Sequence, residues 1–337
     1  MANLKTTYLG LELNNPLIVG ASTLSSDPNK LADFEKYGAG AIVFKSLFEE
    51  QIQLEELELL NTLEQYSERN AEMTRLYPTI KHAGSKEHLL KLEKAKRSVN
   101  IPVIASLNAI YPDTWVAYAQ EIAKTGVDAI ELNFYTTPRD FDMAGSEIIQ
   151  SQIDILKDVR KAVKIPIAVK LSPFYTNPLS VIKRMDIEQI EGFVLFNKLF
   201  QPDINIEKEA LEQSIMLSGS HDARLSIRFT GLLFGNVTAD ICSASGIMNS
   251  DDAIKSLLAG ASTFQVVSTL YNNGVEYIPK ILSGIEAWMD KKGYAQISDF
   301  RGKLARKNLK DPFAYRRSQY VDIIMKSEEV LKNKALI

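Results

Sequence analysis

One phrase recurs along this chain: a turn that contains glycine or other small residues, then a short apolar run that ends in polar or small groups. The clearest copies are YGAGAIVFKS (37–46), TGVDAIELN (125–133), IEGFVLFN (190–197) and AGASTFQVVST (259–269). Gly38, Gly126 and Gly260 can adopt the left-handed conformation that ends a helix. The apolar runs are too short for helices and too uniformly apolar for half-exposed strands. The chain is therefore predicted to alternate helices with buried strands.

Eight such strands can be counted, and amphipathic helical stretches separate them. The strand candidates are 17–22, 41–46, 102–107, 129–134, 167–172, 192–197, 239–244 and 262–269. Eight consecutive strand–helix units predict a closed (β/α)8 barrel, or TIM barrel, rather than an open doubly wound sheet. A solenoid would need a regular repeat with its own consensus, and neither is present.

The parts of the chain outside this alternation predict the domain organisation. We expect residues 1–290 to form the barrel, and residues 291–337 to form a helical tail that packs on the barrel or on a dimer partner. The stretch 6–16, TTYLGLELNNP, is expected to form a hairpin that closes the barrel floor. Two long insertions, 48–100 and 198–224, follow strands two and six at the carboxyl-terminal face, where such loops usually form lids or substrate walls.

Composition excludes several classes of function. A formal net charge of −3 without a stripe of basic residues argues against nucleic-acid binding. No apolar run reaches membrane-spanning length and the N-terminus lacks a signal-peptide core, so we expect a cytoplasmic protein that does not bind membranes. The single cysteine, Cys242, excludes an internal disulfide and is expected in the core, and the three histidines lack metal-ligand spacing.

The carboxyl ends of the predicted strands carry polar or small side chains, and this is where barrels place their active sites. These residues are Lys45, Ser46, Asn108, Asn133, Lys170, Asn197, Ser245, Gly246, Ser268 and Thr269. The last four stand at strands seven and eight, where barrels commonly bind phosphate, although a glycine turn and a helix cap would use the same residues. Lys170 ends an apolar run, so it is either a surface group or a buried cation that faces an anionic centre.

Six motifs resemble those of one known family in their order and spacing. They are NPLIVGAS (15–22), VFKS (43–46), ELN (131–133), VKLSP (169–173), SASGI (243–247) and QVVSTLYNNG (265–274). Across about residues 5–290 the chain resembles the dihydroorotate dehydrogenases, the FMN-containing barrels of pyrimidine biosynthesis, and most of all their class 1 branch. The resemblance implies that FMN is bound by Ala21, Ser22, Lys45, Ser46, Asn108, Asn133, Lys170, Ser245, Gly246, Ser268 and Thr269.

The resemblance also implies individual roles. Lys170 is expected beside the N1/O2 edge of the flavin, where a positive charge stabilises the reduced, anionic ring. Lys45, Asn133 and Asn197 are expected to orient the substrate, because amides offer donors and an acceptor to a pyrimidine-like ring. A rim salt bridge for Lys45 and a turn-forming role for one of the asparagines are the alternatives.

The chain departs from the family in the loop that supplies the catalytic base. In class 1 enzymes the ELN motif continues into a Ser-Cys-Pro-Asn-like loop whose cysteine removes a substrate proton, whereas here it continues FYTTPRD (134–140). Tyr135, Thr136 and Thr137 are the candidates for that role, and a purely structural turn is the alternative. The family's Asn-rich substrate loop is also absent from the first insertion.

The sequence therefore predicts an FMN-dependent oxidoreductase that acts on a CH–CH group, with dihydroorotate as the substrate that the resemblance implies. A homodimer is expected, with a small-molecule substrate, no metal and no nucleic acid. Two alternatives remain open at this point: an enzyme for another small unsaturated, amide-bearing substrate, and a catalytically silent FMN-binding homologue.

Overall fold

The computed structural model describes residues 2–54, 83–136, 141–199, 201–212 and 215–325. Its centre is a closed barrel of eight parallel strands, which confirms the predicted (β/α)8 fold. These strands are β3 (Leu17–Val19), β4 (Ala41–Phe48), β5 (Val103–Asn108), β6 (Ala129–Phe134), β7 (Ile167–Leu171), β8 (Gly192–Leu195), β11 (Asp240–Ser243) and β12 (Thr263–Val266). Each pairs with the next in sequence, and β12 closes the ring against β3.

Helices lie between the barrel strands and after the last one, and they cover the barrel. They are α1 (Leu31–Lys36), α2 (Ala83–Ser98), α3 (Pro112–Lys124), α4 (Gly145–Ala162), α5 (Pro178–Asp186), α6 (Ala223–Leu233), α7 (Ser250–Ala259), α8 (Ser268–Asn273) and α9 (Ile278–Lys292). The three glycines expected after helices, Gly38, Gly126 and Gly260, have φ of 90°, 81° and 122°. This left-handed region is costly for other residues, so these turns require glycine.

The prediction placed the end of the last strand too late in the chain. The strand β12 ends at Val266, and Ser268 and Thr269 form the first turn of α8. The residue before the helix is Val267, which forms no side-chain cap, so no capping residue in the sequence marks the end of the strand. Ser268 and Thr269 still follow the strand closely enough to lie at the carboxyl-terminal face.

A hairpin closes the floor of the barrel, as predicted. Its strands, β1 (Thr6–Tyr8) and β2 (Leu11–Leu13), pair antiparallel. Tyr8, Leu9 and Leu13 are buried against the inward-facing barrel side chains, and Leu9 N donates a 3.0 Å hydrogen bond to Asp240 Oδ2. The lower end of the barrel is therefore filled with packed side chains, and space for a ligand is left at the upper end.

The second insertion and the tail add elements outside the barrel. The insertion contains an exposed antiparallel hairpin of β9 (Asp203–Asn205) and β10 (Ala210–Glu212). In the first insertion residues 49–54 are helical, and residues 55–82 lie outside the described residues.

After α9 the chain runs along the barrel as short 3-10 turns and then forms α10 (Arg317–Met325). Gly302 N and Leu304 N donate hydrogen bonds of 3.0 and 2.9 Å to the carbonyls of Leu257 and Leu258 in α7. None of the helices in the described part of the chain has both the length and the apolarity needed to cross a bilayer.

Candidate active site

A cavity of about 640 Å³ lies at the carboxyl ends of the barrel strands. Its size is in the usual range for small-molecule and cofactor sites. The sequence-predicted residues that line it are Ala21, Ser22, Lys45, Ser46, Asn108, Asn133, Tyr135, Lys170, Asn197, Ser245, Gly246 and Ser268. Parallel strands bring their carboxyl ends to one face, so residues far apart in sequence meet there.

Lys170 is a buried cation at the floor of this cavity. It is 8% exposed, which excludes the surface-group alternative. Its Nζ donates a 3.0 Å hydrogen bond to Gln265 Oε1 and lies 3.6 Å from Glu131 Oε1. Gln265 Nε2 in turn donates a 2.5 Å hydrogen bond to Glu131 Oε2. A buried charge needs such partners, and they fix the ammonium at the end of β7.

A β-bulge explains why Lys45 and Ser46 both face the cavity. Successive residues of a strand normally point to opposite faces. The register of β4 against β5 shifts between Phe44 and Leu47, and a bulge of this kind redirects a side chain. Ser46 Oγ lies 2.7 Å from Ser106 Oγ in a hydrogen bond that anchors it to β5.

Amide groups line the wall between the bulge and the floor. Asn108 and Asn133 are buried, and Asn197 Nδ2 donates a 3.2 Å hydrogen bond to Asn133 Oδ1. Asn133, in β6, and Asn197, just after β8, therefore act as a pair. Their remaining donors and acceptors suit the edge of a heterocyclic ring.

The end of the cavity near β11 and β12 is lined by hydroxyl groups and a tight turn. Ser218 Oγ lies 2.8 Å from Ser268 Oγ and accepts a 3.2 Å hydrogen bond from Gly246 N. Gly246 has φ of 78°, and a Cβ there would lie 2.3 Å from Ala223 N, so only glycine fits. Thr269 does not line the cavity, because its hydroxyl donates to Met248 O at 2.9 Å.

Two of the three candidates for the catalytic base are among the described residues, and their side chains face different ways. Tyr135 lines the cavity and is 41% exposed. Thr136 points away, since its Oγ1 accepts a 3.2 Å hydrogen bond from Gln152 Nε2 in α4. Thr137 lies outside the described residues. Cys242 is fully buried, and this burial raises the pKa of its thiol to about 12, which leaves it uncharged.

A second, smaller cavity of about 180 Å³ is also lined by Lys45. His88 from α2 lines it and packs edge-on against Phe44. Burial, together with the positive charges of Lys45 and Lys91, lowers the pKa of His88 to about 4. At neutral pH the imidazole is therefore uncharged, and it contributes no second cation beside Lys45.

Several lining residues were not singled out by the sequence. The sequence contains a signal for Gln265, because it is a polar residue in the apolar run before Ser268. Tyr271 lies one helical turn after Ser268, and its hydroxyl lies 2.5 Å from Thr23 Oγ1. Ser218 is brought in by the second insertion, and no local pattern predicts that contact. Within the described residues no cluster of three or more potential metal ligands is found.

Comparisons with known proteins give a consistent result. The sequence model of a family described as dihydroorotate dehydrogenase matches residues 77–289. The chain is 26% identical over 301 residues to the catalytic subunit of dihydroorotate dehydrogenase B (NAD(+)) from Methanocaldococcus jannaschii, covering 86% of this chain and 94% of that protein. The corresponding subunit from Thermoplasma acidophilum is 26% identical, with 91% and 100% covered. A putative dihydroorotate dehydrogenase A (fumarate) from Aeropyrum pernix is 25% identical, with 89% and 96% covered.

Proposed function

The chain belongs to the dihydroorotate dehydrogenase family, and on that premise we propose that it is an FMN-dependent oxidoreductase that converts dihydroorotate to orotate in pyrimidine biosynthesis. The observation that carries the proposal is the buried Lys170 at the floor of a cavity whose walls bear amides and whose far end bears hydroxyls. A cation, ring-edge amides and hydroxyl donors are the groups that a flavin, its ring substituents and its phosphate require.

The donor set fits FMN along the length of the cavity. Lys170 would stabilise negative charge at the pyrimidine edge of the ring. Ser218, Ser268 and the turn at Gly246 would hold the phosphate by hydroxyl and backbone hydrogen bonds. The other residues proposed to contact the cofactor are Ala21, Ser22, Lys45, Ser46, Asn108, Asn133, Ser245 and Thr269. Thr269 would act through its backbone, since its side chain faces Met248.

Oxidation of a CH–CH group removes a hydride and a proton from the substrate. Bound FMN supplies the hydride acceptor. Lys45, Asn133 and Asn197 would orient the substrate ring, and the hydrogen bond between the two asparagines fixes their relative orientation. Tyr135 Oη, on the cavity wall, is the group we propose to take the proton while it passes its own hydroxyl proton to the solvent that its side chain contacts.

The names of the relatives bear on the partners of the protein. The relatives' names include NAD(+) and fumarate, and two of those proteins are catalytic subunits. We propose a small-molecule substrate, a homodimer and a location in the cytoplasm. The absence of a cysteine from the loop FYTTPRD also favours a second candidate function, in which the same site oxidises or reduces another small unsaturated amide, or binds FMN without turnover.

One anaerobic experiment tests the proposal. The purified protein, loaded with FMN, is mixed with dihydroorotate while the flavin absorbance is followed. We expect bleaching with dihydroorotate and none with orotate, which is already oxidised. Bound FMN that stays oxidised would favour the second candidate, and failure to bind FMN would contradict both.

A further inference from the structure

A carboxylate lies directly below the floor of the cavity. Glu131 precedes Asn133 by two residues on β6, so both point into the barrel. The side chain of Glu131 is 1% exposed, and its Oε1 lies 3.6 Å from Lys170 Nζ. Within the described residues this oxygen accepts no hydrogen bond, so the ammonium of Lys170 is the group that faces it.

Gln265 joins the two charged groups in a fixed direction. An ionised carboxylate can only accept hydrogen bonds, so Gln265 presents its NH2 group to Glu131 and its carbonyl to Lys170. All three side chains are buried. The positive end of this chain of contacts therefore faces the cavity, and the negative end lies beneath it.

We propose that Glu131 is a positioning residue that sets the charge of the cavity floor and so limits how strongly Lys170 stabilises negative charge on the bound cofactor. The inference rests on the proposed function, because it concerns FMN bound above Lys170. It goes beyond that function by assigning a role to a carboxylate that does not line the cavity.

The electrostatic role predicts opposite effects for two substitutions. Reduction adds negative charge to the pyrimidine edge of FMN, which Lys170 favours and Glu131 opposes. Glu131→Gln keeps the shape of the side chain and removes its charge, so the reduction potential should rise. Lys170→Met removes the positive charge, so the potential should fall. A residue that served only to support the fold would not produce this reversal of sign.

The test is a measurement of the FMN reduction potential by dye equilibration in the parent and the variants. For Glu131→Gln we expect the ratio of affinities for reduced and oxidised FMN to rise at least about tenfold, or about 30 mV for a two-electron couple. Lys170→Met should shift it as far in the opposite direction. Asp240→Asn is the matched control, since Asp240 is a half-buried carboxylate at the lower end of the barrel, held by Leu9 N and Ser262 Oγ. Its potential should equal that of the parent.

The outcomes separate the two proposals. An unchanged or lowered potential in Glu131→Gln, together with a lowered potential in Lys170→Met, would overturn the inference and leave the proposed function standing. An unchanged potential in Lys170→Met would instead contradict the placement of FMN above Lys170.

Urea unfolding of the same proteins supplies a readout that requires no flavin. Glu131→Gln should lower the unfolding midpoint, because it leaves the charge of Lys170 buried without its counter-charge. Combination with Lys170→Met should restore most of the loss, since both charges are then gone. Strictly additive effects in this double-mutant cycle would refute the coupling of the two charges.

Discussion

At the scale of single residues, the proton-transfer group is a point at which this chain differs from class 1 dihydroorotate dehydrogenases. Tyr135 lies on the cavity wall, in the loop where class 1 enzymes carry a cysteine. Thr136 is held by Gln152 on the other side of the loop. Cys242 cannot replace the missing base, because its thiol is buried beneath the floor and stays protonated. The geometry therefore favours Tyr135 among the described candidates.

We predict that Tyr135→Phe slows reduction of the flavin by dihydroorotate about 10²- to 10⁴-fold, the usual contribution of a general acid–base group. FMN should remain bound, because the substitution removes only a hydroxyl. The rate is measured by anaerobic stopped-flow absorbance. Thr136→Val is the matched control and should react at the parent rate. Equal rates in Tyr135→Phe and the parent would remove Tyr135 from the mechanism.

At the scale of structural elements, the second insertion and α8 form one end of the cavity together. Ser218 N and Oγ both contact Ser268 Oγ, at 3.0 and 2.8 Å. The loop that follows β8 therefore lies against the start of α8. Gly246 is unsuited to testing this end, since any side chain there would collide with the backbone of Ala223 and Gly219. Ser268 offers a cleaner substitution.

We predict that Ser268→Asp weakens FMN binding about 100-fold, because a carboxylate within about 4 Å of a phosphate costs a few kcal/mol. Ser268→Ala should weaken it much less, since it removes one hydrogen bond without adding charge. Both are measured by titration of the protein with FMN and flavin fluorescence. Equal affinities for the two variants would place the phosphate elsewhere.

A second element-scale feature joins the end of α5 to the start of β11. Asp186 accepts hydrogen bonds from Ala239 N at 3.0 Å and from Thr238 N and Thr238 Oγ1, both at 2.9 Å. Burial of the carboxylate raises its pKa, but these hydrogen bonds outweigh burial and hold the pKa of Asp186 below its ordinary value. The charged form is therefore the one that stabilises the fold.

We predict that Asp186→Asn lowers the free energy of unfolding by about 1–3 kcal/mol at pH 7, the cost of weakening buried charge-assisted hydrogen bonds. Because the pKa of Asp186 is lower in the folded state, its carboxylate stabilises the fold at pH values above the unfolded pKa of about 3.9. This stabilisation is lost as the pH falls through the folded pKa and the carboxylate is protonated. The difference between parent and variant should thus shrink below about pH 4, as measured by urea unfolding at several pH values. A difference that stays constant down to pH 2 would refute the assignment.

The sequence predicts the elements better than it predicts the contacts between them. Lys170 could be found because a charged residue at the end of an apolar run is anomalous under the barrel pattern. Glu131 belongs to the ELN motif, but nothing in the motif shows that its carboxylate meets the lysine of the next strand. Ser218 could not be found at all, because its contact with Ser268 depends on the path of a long insertion. The end of β12 was placed too late, since an apolar run does not distinguish a strand end from the first turn of a helix.

At the scale of the whole molecule, the hairpin at the barrel floor and the strands above it are fitted closely. Gly192 begins β8 directly beside this hairpin. A Cβ at Gly192 would lie 2.5 Å from Leu9 Cδ2 and 3.2 Å from the hydroxyl of Tyr8. The absence of a side chain at this position is thus what allows the hairpin to enter the barrel.

We predict that Gly192→Ala lowers the free energy of unfolding by about 1–3 kcal/mol through overpacking. Leu9→Ala alone should cost about 2–5 kcal/mol, because it leaves a cavity in the floor. The double variant should lose less than the sum of the two, since the new methyl group occupies part of the space that Leu9 leaves. Urea unfolding of the four proteins measures this, and exact additivity would show that the two side chains do not meet.

On the proposed function, the packed hairpin at the lower end of the barrel also determines the order in which cofactor and substrate bind and leave. Because the hairpin occupies the lower end, a ligand would reach the cavity from the upper end. On that function, FMN would lie against Lys170 at the bottom of the cavity, and the substrate would lie above it beside Lys45, Asn133 and Asn197. The cofactor, which would bind first, could then leave only when the substrate position is empty. A molecule in the substrate position would then block the exit of FMN, so substrate and product would exchange many times while one FMN molecule stays bound.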